Sequence, residues 1–191
     1  MKFFLSFPSQ NLYGEIYFLL FIGILFIGCN SNISNENTTE IGSVLLDESS
    51  EMTPLFAGEI SNQEIWLRYI QAHNDKNLDI IAEINADDWE GYTADGSVVK
   101  GSAAHIEILD NWFKSANPKW EVKWMIANAA KNNEGVVEQW LTTGNDYSDV
   151  DENGNEIFEH NVHDIMFVDG KIKKINVYSR AKAQESAEFS Y

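Results

Sequence analysis

The sequence is poor in cysteine and in basic residues, and each shortage excludes a class of protein. Cys29 is the only cysteine in 191 residues, so a framework of intramolecular disulfides is excluded. Lysine and arginine together number 13 against 30 aspartates and glutamates, which gives a formal net charge of −17. So acidic a chain repels phosphate backbones, and we therefore expect no nucleic-acid partner.

The chain also lacks a long apolar run. The longest, Ile16–Ile27, has twelve residues, whereas a membrane-spanning helix needs about 20. Its length fits the core of a signal peptide, and the sequence FIGC that closes it resembles a lipobox with Cys29 as lipid acceptor. We expect a lipid-anchored protein of the cell envelope, on the periplasmic or outer-surface side. An uncleaved anchor helix from about Phe3 is the alternative.

Composition divides the chain into four parts. Residues 1–28 are the predicted lipoprotein signal peptide, and residues 29–56, rich in Asn, Ser, Thr and Glu, are predicted to be a disordered linker. Residues 57–182 are long enough for one ordinary domain. Residues 183–191 are predicted to be a frayed tail.

Helices are predicted in the first half of this domain. Ser61 and Glu64 have the spacing of a capping box. The spacing i, i+3, i+4, i+7 predicts one buried helix face, formed by Trp66, Tyr69, Ile70 and His73. A short helix is predicted around Leu78–Ala82, and a third is predicted to begin at Gly101-Ser102 and to end before Pro118.

Strands dominate the second half. A short strand is predicted at Asp88–Tyr92, and four long ones follow, with cores at Trp120–Ile126, Gly135–Thr143, Glu156–Val168 and Lys171–Arg180. Helices followed by an antiparallel meander predict an α+β fold. Alternation in the first long strand gives an apolar stripe of Trp120, Val122, Trp124 and Ile126. This stripe belongs either to the core of the domain or to a sheet face buried in a homodimer.

Three segments carry a resemblance to a known family. They are NLDIIAEINADDWEGYTADGSVVKG, VEQWLTTG and HDIMFVDGKIKKINVY. In order and spacing they resemble the SnoaL-like branch of the nuclear transport factor 2-like superfamily, over about Ser61 to Arg180. The resemblance implies a cone-shaped, curved antiparallel sheet wrapped around about three N-terminal helices. It implies little about function, since this fold supports many activities.

The ketosteroid isomerases of that superfamily need a carboxylate base and two acidic donors. The resemblance places the donor tyrosine at Tyr69 and the second donor at or near His163. It places the base at Thr93, where no carboxylate is present.

Two other activities of the family also lack their residues here. The acid of SnoaL-like cyclases has no counterpart between Ile172 and Arg180. The Asp-Arg-Asp set of the epoxide hydrolases of this fold is not evident either, because Arg68 and Arg180 are the only arginines.

The predicted pocket is centred on Tyr69, Thr93 and His163. Trp140 is a candidate wall residue, and Asn161 and Ile165 are expected on the same strand face as His163, since side chains alternate along a strand. Either these groups contact a ligand, or Tyr69 and His163 form a hydrogen bond with each other within the core.

Metal sites are less well supported by the sequence. His160, His163 and Asp164 lack metal-ligand spacing, so we expect no metal. Asp149–Gly154 matches the first half of a calcium loop, but position 12 is His160 rather than Glu. An acidic hairpin with a turn at Asn153-Gly154 is the preferred interpretation.

Three functions remain open. The first is a non-catalytic, membrane-tethered domain that binds a small apolar molecule or a protein partner. The second is a lyase or isomerase with His163 as base and Tyr69 as donor. The third is a homodimerising module that acts through its sheet face. We expect no cofactor in any of the three.

Overall fold

The computed structural model describes residues 39–46, 51–151 and 153–181. These residues form three helices and one eight-stranded sheet. The helices are α1 Ser61–Asn74, α2 Leu78–Ile84 and α3 Ser102–Trp112. The strands are β1 Glu40–Leu45, β2 Met52–Ala57, β3 Asn85–Tyr92, β4 Val98–Lys100, β5 Lys119–Lys131, β6 Val137–Val150, β7 Glu156–Val168 and β8 Lys171–Ala181.

The sheet has the order β1-β2-β5-β6-β7-β8-β3-β4. The predicted α+β class is confirmed, but the sheet is mixed rather than antiparallel, because β3 and β8 run parallel. Their backbones pair from Glu90 opposite Lys174 to Tyr92 opposite Asn176. Strands so far apart in the chain leave no turn signal between them, and local sequence patterns therefore do not reveal their relative direction.

One face of the sheet, here called the inner face, packs on the helices. It carries Leu141, Ile165 and Ile175, each with at most 5% of its surface exposed. Against them pack Trp66, Tyr69 and Ile70 of α1, Ile81 and Ile84 of α2 and Leu109 of α3. The other face of the sheet is called the outer face below.

The predicted linker is partly wrong. Residues 40–45 and 52–57 are strands β1 and β2, paired antiparallel, and β2 joins the sheet by pairing Phe56 with Ala129 of β5. Apolar residues at the end of the segment, such as Leu55 and Phe56, allow this pairing although the flanking sequence is polar. The predicted signal peptide, Cys29 and the predicted tail 183–191 lie outside the described residues.

The start of α1 also differs from the prediction. Ile60, with helical backbone angles, precedes the first helical residue, and no side chain caps the helix there. The backbone N–H of Asn62 donates to the carbonyl of Glu59 instead. The expected capping box of Ser61 and Glu64 does not form, because the chain enters the helix through a turn already made by the backbone.

The apolar stripe of β5 is split between the two faces. A bulge between Val122 and Trp124 shifts the register against β6. As a result Trp120 and Val122 pack against the core, whereas Trp124 and Ile126 are 40% and 52% exposed. Neither predicted alternative, all core or all interface, describes this strand, because one extra residue in a strand reverses the facing of everything after it.

Among the described residues, no helix is long and apolar enough to cross a membrane.

Candidate functional site

A cavity of about 470 Å³ lies between α1, α3 and the inner face of the sheet. Its volume is within the range of small-molecule sites. Tryptophan and tyrosine side chains contribute to its wall, including four of the six tryptophans, namely Trp66, Trp89, Trp112 and Trp120. The cavity has a deep part formed by buried residues and a mouth formed by half-buried ones.

Helix α1 supplies one side of the deep part. Trp66, Tyr69, Ile70 and His73 all face the cavity and are all buried. Their spacing along one helix face is as predicted from the sequence. The Trp66 and Tyr69 rings are stacked at 5.6 Å, and the Tyr69 and His73 rings lie 4.4 Å apart.

The opposite side is a stack of two rings. Trp89 of β3 and His105 of α3 lie 3.9 Å apart between ring centroids, with their planes only 6° from parallel. Gly91 makes room for this arrangement, because a Cβ there would come 2.3 Å from the Trp89 indole. Since contacts below 3.0 Å are not tolerated, any larger residue at Gly91 would displace the ring.

The three buried histidines are neutral. Burial lowers the pKa of His73 to about 4, although the hydrogen bond with the Tyr69 carbonyl opposes the shift. Burial likewise lowers the pKa of His105 and of His163 to about 3, with a smaller contribution from His73. Burial also raises the pKa of Tyr69, so its hydroxyl stays protonated. At pH 7 the deep part therefore carries no charge from these side chains.

Hydrogen bonds fix the tautomers of these histidines. His73 Nδ1 lies 2.9 Å from the Tyr69 carbonyl oxygen, an acceptor only, so Nδ1 carries the proton. The Tyr69 hydroxyl donates to Asn85 Oδ1 at 3.1 Å. The amide nitrogen of Asn85 then donates to His105 Nδ1 at 3.1 Å, which leaves the His105 proton on Nε2.

His163 is held in the same way by Asn145, whose amide nitrogen lies 2.9 Å from His163 Nδ1. Tyr69 is thus bonded to Asn85 and His163 to Asn145. The Trp66 ring contacts both, at 5.6 Å from Tyr69 and 5.2 Å from His163. The predicted direct pair of Tyr69 and His163 is wrong, although both line the same cavity.

Unpaired donors also face this region. The indole N–H groups of Trp66 and Trp89 are buried and have no hydrogen-bond partner among the described residues. The Trp89 N–H lies near enough to the Tyr69 oxygen to oppose slightly the rise in that pKa, without completing a hydrogen bond. A buried donor left without a partner costs about 1–3 kcal/mol.

Thr93 and Asn161 differ in burial. Thr93 is exposed at the end of β3, and its hydroxyl is in hydrogen-bond range of the Asp95 carboxylate and of the Ser97 carbonyl. Asn161 is buried, and its Oδ1 accepts the Trp120 indole N–H at 3.2 Å. Both residues line the cavity as predicted.

Glu159 is a cavity residue that was not predicted from the sequence. Its half-buried side chain lines the mouth, where it accepts hydrogen bonds from the Asn161 amide at 3.2 Å and from the Ser179 hydroxyl. Alternation along β7 puts Glu159 on the same face as Asn161 and His163. The same rule that found those two therefore signals Glu159 as well.

Two other predicted pocket residues lie elsewhere. Trp140 is on the outer face, where its indole N–H donates to Glu138 at 3.2 Å, and it borders a different cavity beside β1 and β2. The next residue of β6, Leu141, is fully buried on the inner face. Ile165 is fully buried in the core, in the cluster that packs on the helices, and is not among the residues that line the cavity.

The acidic groups of β6 and β7 are engaged by the protein. His160 Nδ1 lies 3.2 Å from Asp146, and Asp164 accepts from Thr142 at 2.9 Å. Asp151 accepts the backbone N–H groups of Asn153 and Asn155, which makes the predicted acidic hairpin turn. Within the described residues there is no cluster of three metal-binding side chains.

The architecture agrees with that of known structures. An LEH-like epoxide hydrolase from M. tuberculosis aligns with a TM-score of 0.52 and 11% identity, over 62% of this chain and 82% of that one. The chain has the SnoaL-like, nuclear transport factor 2-like fold. A candidate SnoaL-like polyketide cyclase from a Jannaschia species aligns with a TM-score of 0.52 and 14% identity, over 63% and 86%. A candidate ketosteroid isomerase from Kribbella flavida aligns with a TM-score of 0.51 and 9% identity, over 66% of this chain and 83% of that one.

At these identities the likeness extends to the fold alone. The three neighbours are described as proteins of different activities, and a shared fold does not transfer an activity. No family model and no curated protein matches the sequence.

Proposed function

We propose that this chain is a membrane-tethered lipoprotein whose SnoaL-like domain binds a small, mostly apolar ligand without transforming it. The cavity of about 470 Å³, with its aromatic wall and neutral deep part, carries the proposal. A pocket of this size and composition buries most of a small apolar molecule.

The hydrogen-bond pattern argues against catalysis by His163. Its Nδ1 accepts from Asn145, so the proton is on Nε2 and His163 can donate but not abstract. Burial lowers its pKa to about 3, far below the value near working pH that suits a general base. The lyase or isomerase alternative, with His163 as base, is therefore the weaker one.

The membrane tether rests on the sequence of residues 1–29 and especially on Cys29. Triacylation of that cysteine would hold the domain firmly, because several acyl chains bind a bilayer far better than one. Replacing Cys29 with Ser should release the chain from the membrane fraction and remove the mass of the lipid. Retention in the membrane fraction at unchanged mass would rule out the lipid anchor.

Native mass spectrometry tests the pocket. The full chain, purified gently from its own host, should keep a small molecule that is absent from a Val177→Trp variant. Val177 lines the cavity, so the larger ring fills it. Tyr178→Trp is the matched control, because Tyr178 is the next residue on β8 and is 59% exposed. An unliganded mass for the parent chain, together with no binding of added apolar compounds, would contradict the proposal.

A second proposal concerns the outer face, as an interface between two copies of the chain. Trp124, Gly144, Val162 and Tyr178 are successive partners across β5, β6, β7 and β8 and are called the outer row. Its end residues are 40% and 59% exposed. A two-fold axis through its middle would place Trp124 of one copy against Tyr178 of the other, as an isologous interface requires.

Light scattering during size-exclusion chromatography tests this second proposal. The parent chain should elute as a dimer and a Tyr178→Lys variant as a monomer. A Lys114→Glu variant, in the exposed turn after α3, is the control for an altered surface charge. A monomeric parent at concentrations up to about 100 μM would contradict the proposal, since a stable dimer has a smaller Kd.

A further inference from the structure

The mouth of the cavity differs in charge from its deep part. Glu159 lines it and is half-buried. Among the described residues Glu159 forms no ion pair, and its partners are the neutral Asn161 and Ser179. None of the described residues that line the cavity is a lysine or an arginine. A carboxylate thus faces the opening without a cationic neighbour in the wall.

A second carboxylate lies directly behind the mouth. Asp149 is only 8% exposed and accepts from the Tyr147 hydroxyl at 2.9 Å. It also accepts the backbone N–H groups of Asn117 and Val150, each at 2.8 Å. Burial raises the pKa of Tyr147, and the carboxylates of Asp149 and Glu159 raise it further. The Tyr147 ring therefore lies in a negative field.

Aromatic rings surround the same position. Trp112 and Trp120 meet nearly at right angles, at 76° with centroids 5.8 Å apart. Trp120 and Tyr147 are 5.0 Å apart and tilted by 47°. All three line the cavity and are half-buried. The three rings, called the aromatic corner below, lie next to Glu159, because Asn161 bonds both Trp120 and Glu159.

Aromatic faces and carboxylates attract the same kind of group. The faces of Trp and Tyr carry negative potential, and rings that meet at an angle bind quaternary ammonium groups in many proteins. A carboxylate at the rim adds a direct charge interaction, strengthened where water is partly excluded. The 17 excess negative charges of the chain favour the approach of a cation.

We propose that the ligand of this cavity is an organic cation, with its apolar body in the deep part and a tertiary or quaternary ammonium group in the aromatic corner beside Glu159. This rests on the proposed function, because it assigns a charge to the ligand of the same pocket. An anionic ligand is disfavoured, since the wall offers no cation and its buried histidines stay neutral.

The experiment compares three probes of similar shape on the purified full chain. They are benzyltrimethylammonium, its uncharged carbon isostere neopentylbenzene, and phenylacetate. Quenching of tryptophan fluorescence reports binding, because four tryptophans line the cavity. The expected order of affinity is cation, then isostere, then anion, with the cation at least about tenfold tighter than the isostere.

Glu159→Gln supplies the decisive comparison. This variant should lose about tenfold or more of the affinity for the cation and keep its affinity for neopentylbenzene. Glu156→Gln is the matched control, because Glu156 is on the same strand, is exposed, and makes the same change of charge. The Glu156→Gln variant should bind all three probes as the parent does.

The outcomes separate the two proposals. If neopentylbenzene binds as tightly as the cation, or if Glu159→Gln leaves the preference unchanged, the cationic ligand is overturned while the apolar pocket stands. If none of the probes binds and the chain carries no ligand from its host, both proposals fail. Preference for phenylacetate would also overturn the cationic ligand.

Discussion

At the scale of single residues, the three neutral histidines link stability to pH. Each has a pKa lowered from 6.5 to about 3 or 4 in the folded protein. In the unfolded chain they bind protons below about pH 6.5, whereas in the folded protein they do not. The unfolded state therefore binds more protons over this range. Their contribution to stability is fully present above pH 6.5 and is lost as the pH falls toward 4.

We predict that His105→Phe weakens this pH dependence. Phenylalanine can keep the stack on Trp89 but cannot titrate, so the unfolded state gains one proton fewer. The slope of unfolding free energy against pH should fall by about 1.4 kcal/mol per pH unit between pH 6 and 5. Urea titrations at several pH values give the slope. An equal slope in parent and variant would mean that His105 is not held neutral by burial.

Gly144 is the second residue with a specific consequence. A Cβ at Gly144 would lie 2.2 Å from Trp124 Nε1, so the indole lies directly over the strand. We predict that Gly144→Ala costs about 1–3 kcal/mol of unfolding free energy. In a Trp124→Ala background the same substitution should cost much less. Chemical denaturation of the four proteins of this cycle measures the coupling, and simple additivity would contradict the contact.

At the scale of elements, the hairpin β1–β2 is the least attached part of the sheet. It joins the rest through the pairs Phe56–Ala129 and Ala57–Asn128, and none of its residues lines the cavity of the candidate site. We predict that removing residues 38–51, and with them β1, lowers the thermal midpoint by about 5 °C or less. Ligand or probe affinity should be unchanged. Loss of the folded state on this deletion would show that β1 supports the core.

The elements also show which patterns in a sequence predict structure. Strand β7 begins and ends where predicted, at Glu156 and Val168, because alternation and two turn signals define it locally. Strand β5 was predicted with every second residue on one face, and the bulge at Lys123 reverses that. A bulge depends on the neighbouring strand, so one strand read alone does not contain it.

In the candidate site, too, the residues with a local sequence pattern were easier to predict than those that depend on distant segments. The resemblance placed Tyr69 and His163 in the pocket and alternation along β7 added Asn161, and all three line the cavity. Ile165, added by the same alternation, is buried in the core instead. Trp140 was assigned to the cavity without such a pattern and lies on the outer face. The bonds of Tyr69 with Asn85 and of His163 with Asn145 join segments that are distant in the chain. The histidine tautomers, which depend on such bonds and decide the chemistry, could therefore not be predicted from the sequence.

At the scale of the whole molecule, the net charge of −17 is an unfavourable term in folding. Five Lys or Arg side chains in the described residues form ion pairs, and most of these pairs are exposed and weak. We predict that raising NaCl from about 20 mM to 500 mM raises the urea midpoint, because screening reduces repulsion among the carboxylates. An unchanged or lower midpoint would mean that the ion pairs outweigh the repulsion.

The parallel pairing of β3 with β8 has a consequence for how the molecule is made. Lys173 of β8 donates to the carbonyl of Asp88 in β3, 85 residues earlier in the chain. If the chain crosses the membrane N-terminus first, as the proposed lipoprotein would, β3 and the helices emerge before their neighbour in the sheet. The side of the cavity lined by Ile175 and Val177 is therefore the last to be added. A ligand can enter only a finished chain, and a chain stopped before Lys171 would expose an unpaired β3 edge and an open aromatic wall, features that favour aggregation.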